Sequence, residues 1–396
     1  MNILYLAHRI PYPPDKGEKI RAFHQIRYLS MKHRVHVASL VDDPDDRRHA
    51  KTLEGYCASV DVVYRSRGRA NAAAAAALLT DRPLSVASFF SRALSEKIRR
   101  RLGSETIDRI FVYSSAMAEY VRDVSGVPKV VDFVDVDSDK WRLYAEHHLF
   151  PRSWVYRLEA DRLARYEERV ARAFDRIIVV SELEAGLLRG RIDGRPVAVI
   201  SNGVDLDYFR PTGAGRGKAE EPTLVFTGVM DYFPNIDAVT YFCRDIFPGV
   251  TRALPGTRLF IVGRNPTPAV RRLGRDPHVI VTGSVPDVRP YLEKAHIAIA
   301  PFRLARGVQN KVLEAMAMER PVVGTPQAFQ GVQATSEDGI WMEDTAEAFA
   351  KAVLALLGDP GLRCRRAGQA RRYVETRHQW ADHGAQLERL LQDVGV

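Results

Sequence analysis

Between residues 303 and 314 the chain sets out Arg303, Arg306, Gly307, Asn310, Lys311 and Glu314. An apolar run, His296 to Ala300, leads in, and a second, Pro321 to Val323, follows. The pattern predicts a strand that delivers two arginines and a glycine to a helix spanning Val308 to Met318. Residues three apart are neighbours on a helix, so Lys311 and Glu314 share a face. Cations at a helix N-terminus suit a phosphate. A carboxylate one turn on suits sugar hydroxyls. The chemistry expected is nucleotide-sugar recognition; the plainer alternative is a solvated ion pair on a helix face.

Further residues could join that chemistry. Gly17 lies in Pro11 to Lys19, between the first predicted strand and helix, where it is either a helix-start turn or a glycine loop facing a diphosphate. Lys16 and Lys19 would add charge there. His8 ends the first strand, either touching substrate or capping the strand. Asp132, Asp135, Asp137 and Asp139 follow another strand. They read as a polar loop lining an acceptor site or as a solvated turn. No histidine or further acid stands at a ligand spacing, so no metal is expected. Ser201-Asn202-Gly203-Val204-Asp205 reads as a turn, Asn-Gly being a common turn dipeptide. Gly213, Gly215, Gly217 and Lys218 only superficially suggest a phosphate loop, because Ala219 replaces the hydroxyl residue such a loop needs.

These residues need a scaffold, and the apolar pattern supplies one. Asn2 to Ala7, Arg34 to Leu40, Val60 to Val63, Arg109 to Tyr113, Lys129 to Val134, Arg176 to Val180 and Val197 to Ile200 read as strands. Helical periodicity over Glu18 to Met31 makes the opening a βαβ unit of a parallel sheet. The alternation restarts after the linker: Thr223 to Phe226, Arg258 to Val262, Val279 to Val281, Ile297 to Ala300 and Pro321 to Gly324 are strands. Helices are predicted over Asn235 to Phe247, Pro286 to Ala295 and Thr345 to Leu357. The fold expected is α/β, two doubly wound Rossmann-like parallel-sheet domains with a cleft between them. The boundaries expected are 1–205 for an acceptor-side domain and 206–376 for a donor-side domain, with a linker over about 206–222. A terminal helix over 377–396 is expected to return to the first domain.

The chain has 396 residues, 46% hydrophobic and 27% charged, with a net charge of +9. This composition is that of a globular protein, and the basic balance suits phosphate-bearing ligands, nucleic acid or anionic membrane. The three cysteines, Cys57, Cys243 and Cys364, have no metal or redox spacing and read as reduced thiols. No signal peptide and no apolar run of about 18 residues is visible, so no bilayer span is expected. The expected location is cytoplasmic, with contact at the inner face of the plasma membrane open. Arg65 to Leu102 and Trp141 to Phe174 mix arginine with apolar residues; they are basic surfaces for anionic lipid or helices packed on a sheet.

Taken together, the landmarks resemble the GT-B fold of the retaining glycosyltransferase family 4. They are Gly17, Ser201 to Asp205 with Phe209 and Pro211, Gly228, Val262-Gly263, Gly283, and Lys311 to Ala317 followed by Pro321-Val322-Val323. More narrowly, Phe226-Thr227-Gly228, Met230 to Asn235 and Ala305 to Lys311 look like the sugar transferases of exosortase (PEP-CTERM) exopolysaccharide systems.

The resemblance implies a hexosyl transfer from a nucleotide diphosphate sugar to a glycan or lipid-linked glycan, with retention and without cofactor or metal. It implies that Glu314 holds the ribose hydroxyls and that Val285 lies in the nucleobase pocket. Gly17, Gly228, Gly307 and Asn310 would line the donor, and Lys311, Arg303 and Arg306 would neutralise the leaving diphosphate. His8, Asp132, Asp135 and Lys140 are the expected acceptor side. Two departures stand out. Arg306 occupies a position where many members carry an acid. Met230, Asp231 and Tyr232 stand where many carry Arg and Lys. An epimerase on the same fold needs an acid and base pair on the donor sugar, and none is evident. A nucleic-acid or membrane binding protein is the other rival, and no nucleic-acid motif supports it.

Overall fold

The computed structural model describes residues 1–192, 194–213 and 221–394. The expected linker falls partly on residues 214–220, as does the Gly215-to-Ala219 part of the loop discussed above; both lie outside the described residues. The chain forms two compact units: Met1–Ile200 with Ala381–Val396, and Ser201–Trp380.

The first unit holds seven strands: β1 (Asn2–Ala7), β2 (Arg34–Val41), β3 (Ser59–Tyr64), β4 (Arg109–Tyr113), β5 (Lys129–Val134), β6 (Arg176–Val179) and β7 (Val197–Val199). Their order is β3-β2-β1-β4-β5-β6-β7, and every pairing is parallel. Such sheets are covered on both faces, so their strands read as continuous apolar runs. Ile3 to Ala7 and Ile110 to Tyr113 are buried accordingly. The order reverses between β1 and β4, and ligands of doubly wound sheets bind beyond the carboxyl ends at such a point. The helix Gly17–Ser30 follows β1.

The terminal helix Trp380–Gln392 packs on this unit. Glu388 receives Lys32 at 2.7 Å and His33 at 3.1 Å, and Arg109 Nε donates to the Leu391 carbonyl at 2.8 Å. Gly384 lies against the Tyr28 ring, where a Cβ would come within 2.3 Å. Only glycine allows that approach.

The second unit holds β8 (Thr223–Thr227), β9 (Arg258–Val262), β10 (Val279–Gly283), β11 (Ile297–Ala300), β12 (Val322–Gly324) and β13 (Ile340–Met342). Their order is β10-β9-β8-β11-β12-β13, again parallel throughout, with the reversal between β8 and β11. Both sheets match the α/β, Rossmann-like expectation.

Differences from the expected elements have local causes. The helix predicted over Asn235 to Phe247 is Phe233–Tyr241, a π-type turn at Phe242–Ile246 and a new helix Phe247–Ala253. Pro248 lacks the N–H an interior position needs and sits in the first turn of the new helix. Several elements fall outside the sequence reading, among them the helices Glu182–Arg189 and Pro268–Leu273. β13 is three residues long, and the helix Pro360–Arg377 buries only Ala370 and Val374, too little for an apolar period to stand out.

Candidate functional site

The carboxyl edge of the second sheet is built on glycine. β8 is followed by Gly228, whose N–H donates to the Val262 carbonyl at 3.0 Å; Gly263 N–H donates to the Gly283 carbonyl at 3.2 Å. The two loops touch: a Cβ on Gly263 would lie 1.6 Å from the Gly228 oxygen. A Cβ on Gly228 would meet Asn235 Nδ2 at 2.8 Å and Lys311 Nζ at 2.9 Å. Any side chain here would displace the lysine head, so glycine keeps backbone and ammonium close.

Lys311 leaves the first turn of the helix Asn310–Ala317, which follows β11. Its Nζ donates to Asn235 Oδ1 at 2.5 Å and lies 4.8 Å from the ring centroids of both Phe226 and Phe302. Asn235 is only 3% exposed, and its Nδ2 donates to the Val229 carbonyl at 2.8 Å. The lysine head thus sits among two aromatic faces, a neutral amide and the Gly228 backbone, at the switch point between β8 and β11. Among the described residues it forms no ion pair. Burial pulls its pKa down to about 7, opposed by the charge of Glu314. Burial pushes Glu314 up to about 7, opposed by Lys311. The two share a neighbourhood, as the three-residue spacing requires, and the Glu314 carboxylate accepts no hydrogen bond among the described residues. An ammonium has three N–H donors, and one is spent on Asn235. The rest can meet an anion, which would lift the lysine pKa again.

Tyr208 feels the charge of Glu314 weakly. Its ring lies 3.9 Å from the Arg289 guanidinium, and Arg289 pairs with Asp287 at 2.7 Å. Val285 is partly buried against the same core.

Arg303 already has a partner in this structure. Its guanidinium pairs with Asp237 through both Nε and Nη2 and lies 4.8 Å from the Tyr241 ring. Its charge is already compensated, so it braces the loop after β11 to the helix Phe233–Tyr241. Arg306 stays in that loop, its carbonyl accepting from Gln309 Nε2 at 2.9 Å. Gly307 has a φ of 60°, which favours glycine. Asn310 Oδ1 accepts from Asn202 Nδ2 at 2.9 Å, so Ser201-to-Asp205 contributes a brace to this helix start. The segment also binds His378 through the Asn202 carbonyl at 2.8 Å.

In the first unit His8 stands at the end of β1, its ring 5.7 Å from Tyr113 in a stacked pose and 5.2 Å from Phe89 edge-on. Burial takes its pKa down to about 4, so the ring is neutral near pH 7, and its Nδ1 has no hydrogen-bond partner among the described residues. Gly17 opens the helix after β1, with Lys16 before it. Lys19 is paired with Asp46 at 2.8 Å and is buried, so it does not add free charge to that loop.

Asp132 requires a correction. It is 0% exposed. Arg21 binds its Oδ2 at 2.8 Å and Gln25 at 2.9 Å, and its Oδ1 accepts from the Val134 N–H at 3.0 Å. A carboxylate so consumed holds the sheet to its helix and does not meet an acceptor. Asp135 lies between β5 and the helix Asp137–Glu146, and Lys140 of that helix pairs with Asp137. No group of three potential metal ligands exists among the described residues.

Asn235, Phe226 and Phe302 form the lysine seat, yet residue types alone suggested no role for them. Phenylalanines in a strand and after one read as core; a Phe-Pro-Asn sequence reads as a helix start. Only the topology brings them together.

Residues 221–359 match the family described as "Glycosyl transferases group 1", and residues 140–208 match "Glycosyltransferase Family 4". No curated protein sequence matches the chain. Among solved structures, sucrose-phosphate synthase from Thermosynechococcus elongatus superposes with a TM-score of 0.75 at 16% identity, over 99% of this chain and 98% of that one. Anabaena Alr3699/HepE in complex with UDP and glucose gives 0.70 at 14% identity, over 100% of both. WaaG, a glycosyltransferase involved in lipopolysaccharide biosynthesis, gives 0.67 at 14% identity, over 99% of this chain and 100% of that one. At these identities the likeness establishes a shared GT-B architecture.

Proposed function

We propose that this chain, a nucleotide-sugar glycosyltransferase of GT-B type, moves a hexosyl unit from a nucleoside diphosphate sugar to a glycan or polyprenyl-linked glycan, with retention, in exopolysaccharide or other cell-surface polysaccharide synthesis. The observation that carries the donor side is Lys311 Nζ, seated at the switch point beside Gly228 without an ion pair among the described residues. The architecture shared with a UDP-complexed protein supports the same reading. UDP is therefore the first nucleotide to try.

In this proposal Lys311 meets the diphosphate oxygens. As the sugar–phosphate bond breaks, negative charge grows on the leaving diphosphate, and a fixed donor stabilises it without reorganising. Arg306 and the Gly228 and Gly307 backbone surround the same group, with Asn310 and Gly17 on the donor. Glu314 receives the ribose hydroxyls, and the backbone near Val285 meets the base. His8, neutral near pH 7, accepts a hydrogen bond from an acceptor hydroxyl; Asp135 and Lys140 belong to the acceptor side. The kinship to exosortase-associated transferases, a cytoplasmic location and contact with the inner membrane face belong to the same proposal.

A thermal-shift screen over nucleoside diphosphates and their sugars tests this, followed by turnover of the best donor. A ligand that binds only the folded state raises apparent stability by mass action. The reading expects one base to stand out and Lys311→Met to abolish its shift. Equal turnover by wild type and Lys311→Met would remove the site assignment.

A further inference from the structure

The first unit carries a helical hairpin whose tip is unlike the surface around it. The helix Asp137–Glu146 and the helix Arg152–Ala173 run antiparallel, as their cross-contacts show. Ser138 meets Glu167, Arg142 reaches Asp161 at 3.6 Å, and Trp141 packs on Tyr156 with ring centroids 5.1 Å apart. His148 and Tyr144 complete an aromatic platform around Tyr156, with centroids 5.1 and 6.4 Å away. The platform fixes the turn above it.

That turn exposes Leu149 at 89% and Phe150 at 81%, and the next helical turn exposes Trp154 at 55%. Large apolar side chains exposed together, and rimmed by polar ones, mark interaction sites. The rim is basic. Arg152 and Arg157 are exposed and form no ion pair among the described residues, and His147 is exposed beside them. The nearest acids offset little: Asp161 is shared with Arg142, leaving Glu146 against two arginines.

We propose that this hairpin tip is a docking point for an anionic phospholipid surface, into which Leu149 and Phe150 insert while Trp154 rests at the headgroup level. The shape favours lipid: the apolar residues stand out together on a turn and the helical turn after it. The charge favours anionic lipid, since arginines near such a surface gain attraction from its negative potential. Tryptophan is enriched at the membrane–water interface. No described helix is long and apolar enough to cross a membrane, so this is contact with one leaflet. The inference extends the proposed lipid-linked acceptor by naming where the chain would meet the bilayer that carries it.

Flotation of the full chain with phosphatidylcholine vesicles, with and without phosphatidylglycerol, at low and high salt, tests it. The wild type is expected to float with the anionic vesicles at low salt. Leu149→Ser with Phe150→Ser is expected to weaken binding at least about a hundredfold, the transfer cost of two large apolar side chains. Arg152→Gln with Arg157→Gln is expected to weaken it by about thirtyfold, with reduced salt sensitivity. Both pairs are exposed, so folding survives, and turnover of a nucleotide sugar with a soluble acceptor is expected to match wild type. No flotation of the wild type at low salt overturns the proposal, and so does equal flotation of the Leu149/Phe150 variant. Concentration-dependent dimers that vanish in that variant, without lipid binding, would make the tip a contact between copies instead. Loss of turnover in wild type would count against the transferase reading and leave flotation to be judged separately.

Discussion

Two charged side chains, one in each unit, are handled in opposite ways. In the first unit Asp132 is consumed: Arg21, Gln25 and a backbone N–H fill its oxygens, and neither Asp132 nor Arg21 is more than 1% exposed. In the second unit Lys311 is seated on a neutral amide and two rings, with no carboxylate paired to it among the described residues. The first arrangement spends charge on the fold. The second withholds it, and burial depresses the lysine pKa until an anion arrives. In the proposed reading, charge held but not neutralised marks a binding group and charge neutralised marks a brace, even where the sequences look equally promising. Arg303 stands between the two, half exposed and paired with Asp237.

Variants can break this comparison. The largest effect expected is on the braced side: Asp132→Ala strands Arg21, and breaking such a buried pair costs about 3–5 kcal/mol. Denaturant unfolding would show it as a lowered midpoint. A change under 1 kcal/mol would mean that Asp132 is not a brace. On the withheld side, Lys311→Ala is expected to lower kcat by about 10²–10³, the loss for one charge-stabilising donor, with little loss of stability. Glu314→Ala comes next: a lost hydrogen bond to a charged group, about 1.5–3 kcal/mol, raises KM for the donor roughly ten- to a hundredfold while kcat moves less.

Linkage sharpens the contrast. The folded pKa of Lys311 lies below its unfolded value, so between about pH 7 and 10.4 the unfolded chain binds more protons and this residue's contribution improves as pH rises. Glu314 has the opposite sign. Its folded pKa is raised, so its contribution worsens as pH rises from about 4.3 to 7. Chemical denaturation across pH should therefore show the stability gap between Lys311→Met and wild type changing by about 1–2 kcal/mol from pH 7 to 10, less than the full shift because water reaches the half-buried side chain. A gap independent of pH would contradict the depressed pKa. The smallest effect belongs to Arg303→Gln, a half-exposed pair worth about 0–1 kcal/mol, with kcat within a few-fold of wild type. A thousandfold fall would restore Arg303 to the catalytic group.

Much of the scaffold was legible because parallel strands buried on both faces leave unbroken apolar runs, and glycine marks where three of them end. Lys311 and Glu314 were legible as a pair because helical spacing alone puts them on one face. Asp132 misled because a carboxylate near the end of a strand looks the same whether it faces a ligand or an arginine 111 residues away. The lysine seat was hidden for the same reason: Asn235 lies 76 residues from Lys311, and only the strand order joins them. The helix Pro360–Arg377 was hidden by its polarity.

The central claim is that Lys311 waits uncompensated for a diphosphate. The most direct test is to follow the Lys311 side-chain resonance by NMR against pH, first in the free protein and then with the nucleoside diphosphate that gives the largest thermal shift. The account predicts a midpoint near 7 in the free protein and a move of about two units or more upward on binding. A midpoint near the ordinary lysine value of about 10.4, unmoved by the nucleotide, would contradict it.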